Sequence, residues 1–186
     1  PGASPLENHG DLKRIGNNSP RYRVGLNLDA AWKGIDFSIF FQGVLKRDWM
    51  FDAGDPYFWG AGSGMWQAAC FEEHMDYWTP ENTDAYYPKP YFNETKNQQA
   101  QDAYMQKASY LRCKNIQLGY TLPTHITEKA GISNCRIYLS CDNLFTITGL
   151  SSVYDPEVFG SYDGYGTSGK TYPLQRTISV GVNLNF

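Results

Sequence analysis

From Tyr22 to Trp32 the chain alternates by twos. Tyr22, Val24, Leu26, Leu28, Ala30 and Trp32 are apolar, while Arg23, Gly25, Asn27 and Asp29 between them are polar or small. A period of two marks a β-strand whose faces meet different surroundings. Lys33-Gly34 then reads as a tight turn, glycine entering positive φ without steric cost. The returning segment sets Ile35, Phe37, Ile39 and Phe41 against Asp36, Ser38, Phe40 and Gln42. Further on, Ile116, Leu118, Tyr120 and Leu122 oppose Asn115, Gln117, Gly119 and Thr121, and Ile137, Leu139 and Cys141 oppose Arg136, Tyr138, Ser140 and Asp142. The last run alternates Ile178, Val180, Val182, Leu184 and Phe186 with Thr177, Ser179, Gly181, Asn183 and Asn185. The pattern predicts five strands, at about 22–33, 34–47, 109–122, 135–145 and 175–186, and an all-β antiparallel fold.

Alternation alone fits a sandwich, whose apolar face packs on a second sheet, or a membrane barrel, whose apolar face meets lipid. Three features favour the barrel. The strands run about 9 to 14 residues, the length of membrane-crossing strands rather than of ordinary globular ones. Trp32, Tyr120 and Phe186 fall at one rim and Tyr22 and Tyr110 at the other, as in paired interfacial girdles. Connections also alternate between short (Lys33-Gly34 and 123–134) and long (about 48–107 and 146–174), the layout of periplasmic turns and extracellular loops. The alternative is a secreted carbohydrate-binding β-sandwich with one long insertion.

Composition narrows the function. Aromatics make up 16% of the 186 residues, and no stretch approaches the ~20 apolar residues of a membrane helix. A formal net charge of −3, with no basic run, argues against a nucleic-acid partner. No export signal is visible at the start. Cys70, Cys113, Cys135 and Cys141 have no zinc-type spacing, and the last three read as small apolar strand residues. Glu72, Glu73, His74 and Asp76 match no metal-ligand pattern and read as a solvated loop face. His9, His74 and His125 are scattered, and no Ser or Cys lies in a nucleophile context. Neither an enzyme nor a cofactor is expected.

Six segments together carry a resemblance: 16–48, YWTPENTDAYYP (77–88), SYLRCKNIQLGYTLP (109–123), RIYLSCDNLFTIT (136–148), YDPEV (154–158) and YPLQRTISVGVNLNF (172–186). They resemble the SusC/RagA class of TonB-dependent outer-membrane transporters, in the order found there and over about nine-tenths of the chain. The resemblance implies the carboxy-terminal portion of a longer polypeptide, the last five strands of a 22-stranded barrel. The plug domain and TonB box would lie outside this chain. It also implies outer-membrane import of a large nutrient, a glycan or oligosaccharide or else a peptide. A SusD-like surface lipoprotein would close over the barrel, and the TonB complex would act through the absent amino-terminal region. Cys113 and Cys141 depart from the class, which more often has an apolar or small residue at both positions.

Two residue sets follow. Val180, Val182, Leu184 and Phe186 resemble the terminal-strand signal read by the barrel-assembly machinery, besides facing outer-membrane lipid. In the long loops, Trp49, Tyr57, Trp59, Trp66, Tyr86, Tyr87, Tyr154 and Tyr162 are candidates for ligand or partner contact. Flat rings beside Asp52 and Asp55 suit sugars, whose C–H faces stack while hydroxyls take hydrogen bonds. Packing of the loops against one another accounts for the same aromatics.

Overall fold

The computed structural model describes residues 13–63, 68–91, 96–159 and 171–186. Its strands are β1 (Arg23–Trp32), β2 (Ile35–Val44), β3 (Asp48–Trp49), β4 (Gln106–Thr121), β5 (Asn134–Asp142), β6 (Thr146–Gly149) and β7 (Thr177–Asn185), with one helical turn, α1 (Thr124–Thr127). They form a single antiparallel sheet in the order β1-β2-β4-β5-β7. The short strands β3 and β6 both pair with the first half of β4, in spans that the sequence pattern leaves as loop.

Lys33 (φ 48°) and Gly34 (φ 85°) both take left-handed backbone, which matches the twist of the two strands they join. The register then brings the apolar set into line across the sheet. Leu28 lies opposite Ile39, Ile39 opposite Ile116, Ile116 opposite Cys141 and Cys141 opposite Ile178. One row below, Ala30, Phe37, Leu118, Leu139 and Val180 align in the same way. Among the described residues nothing covers most of this face: Trp32 is 69% and Val180 75% exposed. A sandwich would bury it. From Tyr22 to Trp32 the ten residue steps span ~33 Å along the strand, or ~25 Å of height at a tilt of ~40°, the height of a lipid-facing apolar band.

The opposite face is polar and knitted together. Arg136 Nε donates to Asp36 Oδ1 at 2.9 Å, and Nη2 donates to Asp36 Oδ2 and, at 2.9 Å, to Gln117 Oε1. The pair spans β5 to β2 across β4, a path open only because Gly119 has no Cβ to obstruct it. Gly181 gives the same room to the Tyr138 ring, over which the Arg136 guanidinium lies at 5.0 Å.

One inserted residue changes the plan of β4. Asn115 pairs with Phe40 and Cys113 with Phe41, so Lys114 is extra, and the faces switch there. Tyr110 and Arg112 therefore turn to the polar side, and Tyr110 is only 7% exposed. The placement of Tyr110 in an outward girdle is thus corrected; Tyr22 keeps its outward position, more than half exposed. Beyond the bulge, Phe145 and Phe41, with ring centroids 6.3 Å apart, lie on the same side as Cys113, which is fully buried.

Candidate functional site

The hydrophobic core of this chain lies among its long connections rather than between layers of sheet. Phe51, Phe58, Trp59, Tyr87, Tyr104, Ala108, Leu150, Tyr154 and Phe159 form one buried cluster at the end of the sheet where those connections gather. Phe51 stacks on Phe58 at 4.6 Å and on Tyr154 at 4.3 Å, while Trp59 meets Phe58 and Tyr104 edge-on at 4.7 and 4.8 Å. These are the offset and edge arrangements that ring quadrupoles favour.

A single carboxylate organises the cluster. Asp55 Oδ1 accepts from the backbone N–H of Tyr57 (3.1 Å) and Phe58 (2.9 Å), an Asx-type turn that starts the segment, and from Tyr154 Oη (3.0 Å). Gly54 makes the approach with φ of 80°, and Trp59 Nε1 donates to Asp52 O at 2.9 Å.

A second anchor ties the connection after β6 to the sheet. Arg112, buried on β4, donates from Nη2 to Asp155 at 2.7 Å, from Nη1 to Glu157 at 2.8 Å and from Nε to Thr146 Oγ1 at 2.8 Å. Lys114 Nζ, on the bulge itself, reaches Glu157 at 3.1 Å. Asp155 also accepts from the backbone N–H of Glu157 and Leu174. Four residues of the YDPEV run are thereby accounted for: Tyr154 holds Asp55, Pro156 is buried, and both carboxylates hold Arg112.

The segment 71–88 is a third unit. Phe71 N–H donates to His74 Nδ1 at 3.0 Å, so the ring proton sits on Nε2, which donates to Phe58 O at 3.1 Å. Gly60 (φ 54°) lies against that imidazole, where a Cβ would stand 2.6 Å from Nδ1. Glu73 Oε1 accepts from Ser151 Oγ (2.6 Å) and Tyr87 Oη (3.1 Å), and Asp76 accepts from Tyr86 N–H and Asn82 Nδ2, both at 3.1 Å. Glu73, His74 and Asp76 are thus committed to loop structure. Among the described residues no group of metal-ligating side chains forms.

The contact candidates divide by exposure. Trp59, Tyr87 and Tyr154 are buried in the aromatic cluster, Trp49 and Tyr57 are half-buried against it, and Tyr86 is exposed at 38%. Trp49 carries the Arg47 guanidinium 4.9 Å above its ring, and Phe159 shares that cation at 4.7 Å. Trp66 and Tyr162 lie outside the described residues. Burial, and then the Asp55 carboxylate, push the Tyr154 phenol well above its ordinary range; burial, and then Glu73, do the same to Tyr87. Burial also raises Tyr86 and Tyr104. These phenols stay neutral hydrogen-bonding groups at physiological pH. Hollows border the platform among the described residues. One of about 210 Å³ lies between Trp59, Met75, Tyr77, Tyr87 and Tyr91, and an open groove of about 580 Å³ runs between Asp76, Tyr86, Gln106 and Ser151.

Sequence reasoning missed Arg112, the role of Asp55 as organiser and the burial of His74. The available signal was an acidic YDPEV run in a loop otherwise poor in charge, which calls for a basic partner.

An antiparallel sheet of long strands, with one open apolar face, one polar face and its long connections packed at one end, is the wall of an outer-membrane β-barrel. No family model matches the chain. Over 95% of its length it is 30% identical to TonB-dependent receptor P3 of Formosa agariphila and 27% identical to TonB-dependent receptor P26 of the same organism. It spans 17% and 18% of those relatives' lengths. Its fold matches the RagAB peptide importer in the open-open state with a TM-score of 0.65 at 28% identity, over 91% of this chain and 17% of that one. The closed-closed state gives a TM-score of 0.65 at 26% identity, over 90% and 17%. Sequence and fold agree: this chain is similar, over nearly its whole length, to a portion of TonB-dependent outer-membrane receptors.

Proposed function

We propose that this chain is the carboxy-terminal wall and outer-loop portion of a TonB-dependent importer of large nutrients, with oligosaccharides as its substrate class. The aromatic platform clipped over the polar side of the sheet supports this reading, because in a closed barrel it would form a rigid, ring-rich surface at the mouth of the lumen. In it the long connections are extracellular and the Lys33-Gly34 turn is periplasmic. Tyr86, beside Asp76 and Gln106, offers the exposed ring and polar neighbours that a sugar needs, and Tyr57 and Trp49 present partial faces. Trp59, Tyr87 and Tyr154 hold that surface in shape. A SusD-like lipoprotein covers the loops, the plug and TonB box belong to the preceding polypeptide, and β7 with Phe186 is the strand that the assembly machinery captures.

A second reading, peptide import, is favoured by the likeness to the RagAB peptide importer. Uptake of fluorescent oligosaccharides and peptides by cells carrying the full-length receptor separates the two. Tyr86→Ala should lower oligosaccharide uptake about tenfold with the amount of folded barrel unchanged. Peptide uptake with no oligosaccharide uptake would replace the first reading by the second, and uptake of neither would sink both.

A further inference from the structure

We infer that the short-turn end of the sheet carries a phospholipid site, an acyl chain lying in an outward groove and its acidic headgroup held by Lys33 against Trp32. The inference rests on the orientation proposed above, which puts this end in the periplasm-facing, phospholipid leaflet.

The groove is an open, apolar concavity of the outward face. It has a volume of about 590 Å³ and runs between Ile35, Leu118, Tyr120, Ile137, Leu139 and Val180, on strands β2, β4, β5 and β7. Its rim is built rather than incidental. The Lys33 ammonium lies 4.8 Å above the Trp32 ring, and Trp32 faces outward with Ile35 opposite it, so the charge sits on the lipid side of the turn. Left-handed backbone at Lys33 and Gly34 fixes that geometry, and a Cβ on Gly34 would stand 3.5 Å from the Tyr120 ring, which makes rim and groove contiguous. Among the described residues no carboxylate pairs with Lys33, and the carboxylate nearest in sequence, Asp36, is on the other face and bound to Arg136. An unpaired cation on an amphipathic ring at headgroup depth, over an apolar channel, fits an acidic diacyl lipid.

Native mass spectrometry of the full-length receptor, delipidated and titrated with phosphatidylglycerol, tests this. Two variants are compared with the natural protein: Lys33→Asn, which keeps the left-handed turn and removes the charge, and Leu118→Trp, which fills the groove. One lipid should be retained by the natural protein, and Lys33→Asn should weaken retention about fivefold, the equivalent of ~1 kcal/mol for one lysine near a headgroup. Leu118→Trp should weaken it at least as much while heat-modifiable mobility shows a folded barrel. Equal retention by all three proteins overturns the site. Displacement by millimolar inorganic phosphate overturns the lipid in favour of a free anion. Retention of lipopolysaccharide in place of phosphatidylglycerol overturns the orientation, and the proposal with it.

Discussion

At the scale of residues, the loop platform depends on a few buried polar groups that each satisfy several partners. Asp55 serves two backbone amides and the Tyr154 hydroxyl, and Arg112 serves two carboxylates and a hydroxyl. Removing one member of such a set strands the others without water, which costs more than the bond itself contributes. Tyr154 shows how this reads in pH. Its phenol is raised above the ordinary value of ~10, so the stability it contributes is complete below pH ~10 and lost as pH rises beyond it, where the unfolded phenol ionises and the folded one resists. Loop opening, followed by limited proteolysis of the intact receptor between pH 7 and 11, should therefore accelerate above pH ~10. Tyr154→Phe should lower the opening free energy by about 1.5–3 kcal/mol at neutral pH and flatten the alkaline step. A variant that matches the natural protein at pH 7 would remove Tyr154 from this role.

At the scale of elements, the bulge at Lys114 determines which way β4 faces over its upper half. Below it, Ile116, Leu118 and Tyr120 look outward; above it, Tyr110 and Arg112 look inward, where the aromatic cluster and the YDPEV carboxylates await them. Deleting Lys114 leaves Asn115 opposite Phe40, Cys113 opposite Phe41 and Arg112 opposite Gln42, so both halves of β4 keep their faces and only the Lys114–Glu157 ion pair and the local twist are lost. The folded, heat-modifiable form of the deletion variant should therefore reach nearly the natural amount in outer-membrane fractions, whereas Arg112→Met, which strands the Asp155 and Glu157 carboxylates, should lower it severalfold. A deletion variant that assembles as poorly as Arg112→Met would show that the extra residue is itself required. This element also marks where sequence reading stops. The strands were legible because period two persists over nine or more residues on each, and the turn because Lys33-Gly34 supplies left-handed backbone. One inserted residue leaves composition and local alternation nearly unchanged, so alternation alone points Tyr110 to the wrong face. The loop platform was less legible still. Its determinants join residues far apart in the chain, as with Arg112 and Asp155 at a separation of 43 or Asp55 and Tyr154 at 99, and no local period encodes such contacts. Aromatic richness announced that the loops matter without saying which rings are walls and which are surfaces.

At the scale of the molecule, the sheet has two open edges and an apolar face, and each asks for something the described residues do not supply. Among the described residues β1 pairs only with β2 and β7 only with β5, which leaves backbone donors and acceptors on both outer edges. In a closed barrel those edges meet neighbouring strands; alone they template further pairing. The apolar face adds a continuous exposed surface across β1, β2, β4, β5 and β7, far from the scattered single residues that water tolerates. The buried aromatic cluster lies at the loop end, so it stabilises the connections without shielding the wall. The 186-residue chain made by itself should therefore be insoluble without detergent and sediment as large aggregates, whereas the full-length receptor in detergent should run as one discrete species. Sedimentation velocity of the isolated chain in plain buffer checks this directly. A monodisperse monomer with cooperative unfolding would mean that some surface of the chain covers the apolar face in water, and the membrane-wall reading would then have to be abandoned at its foundation.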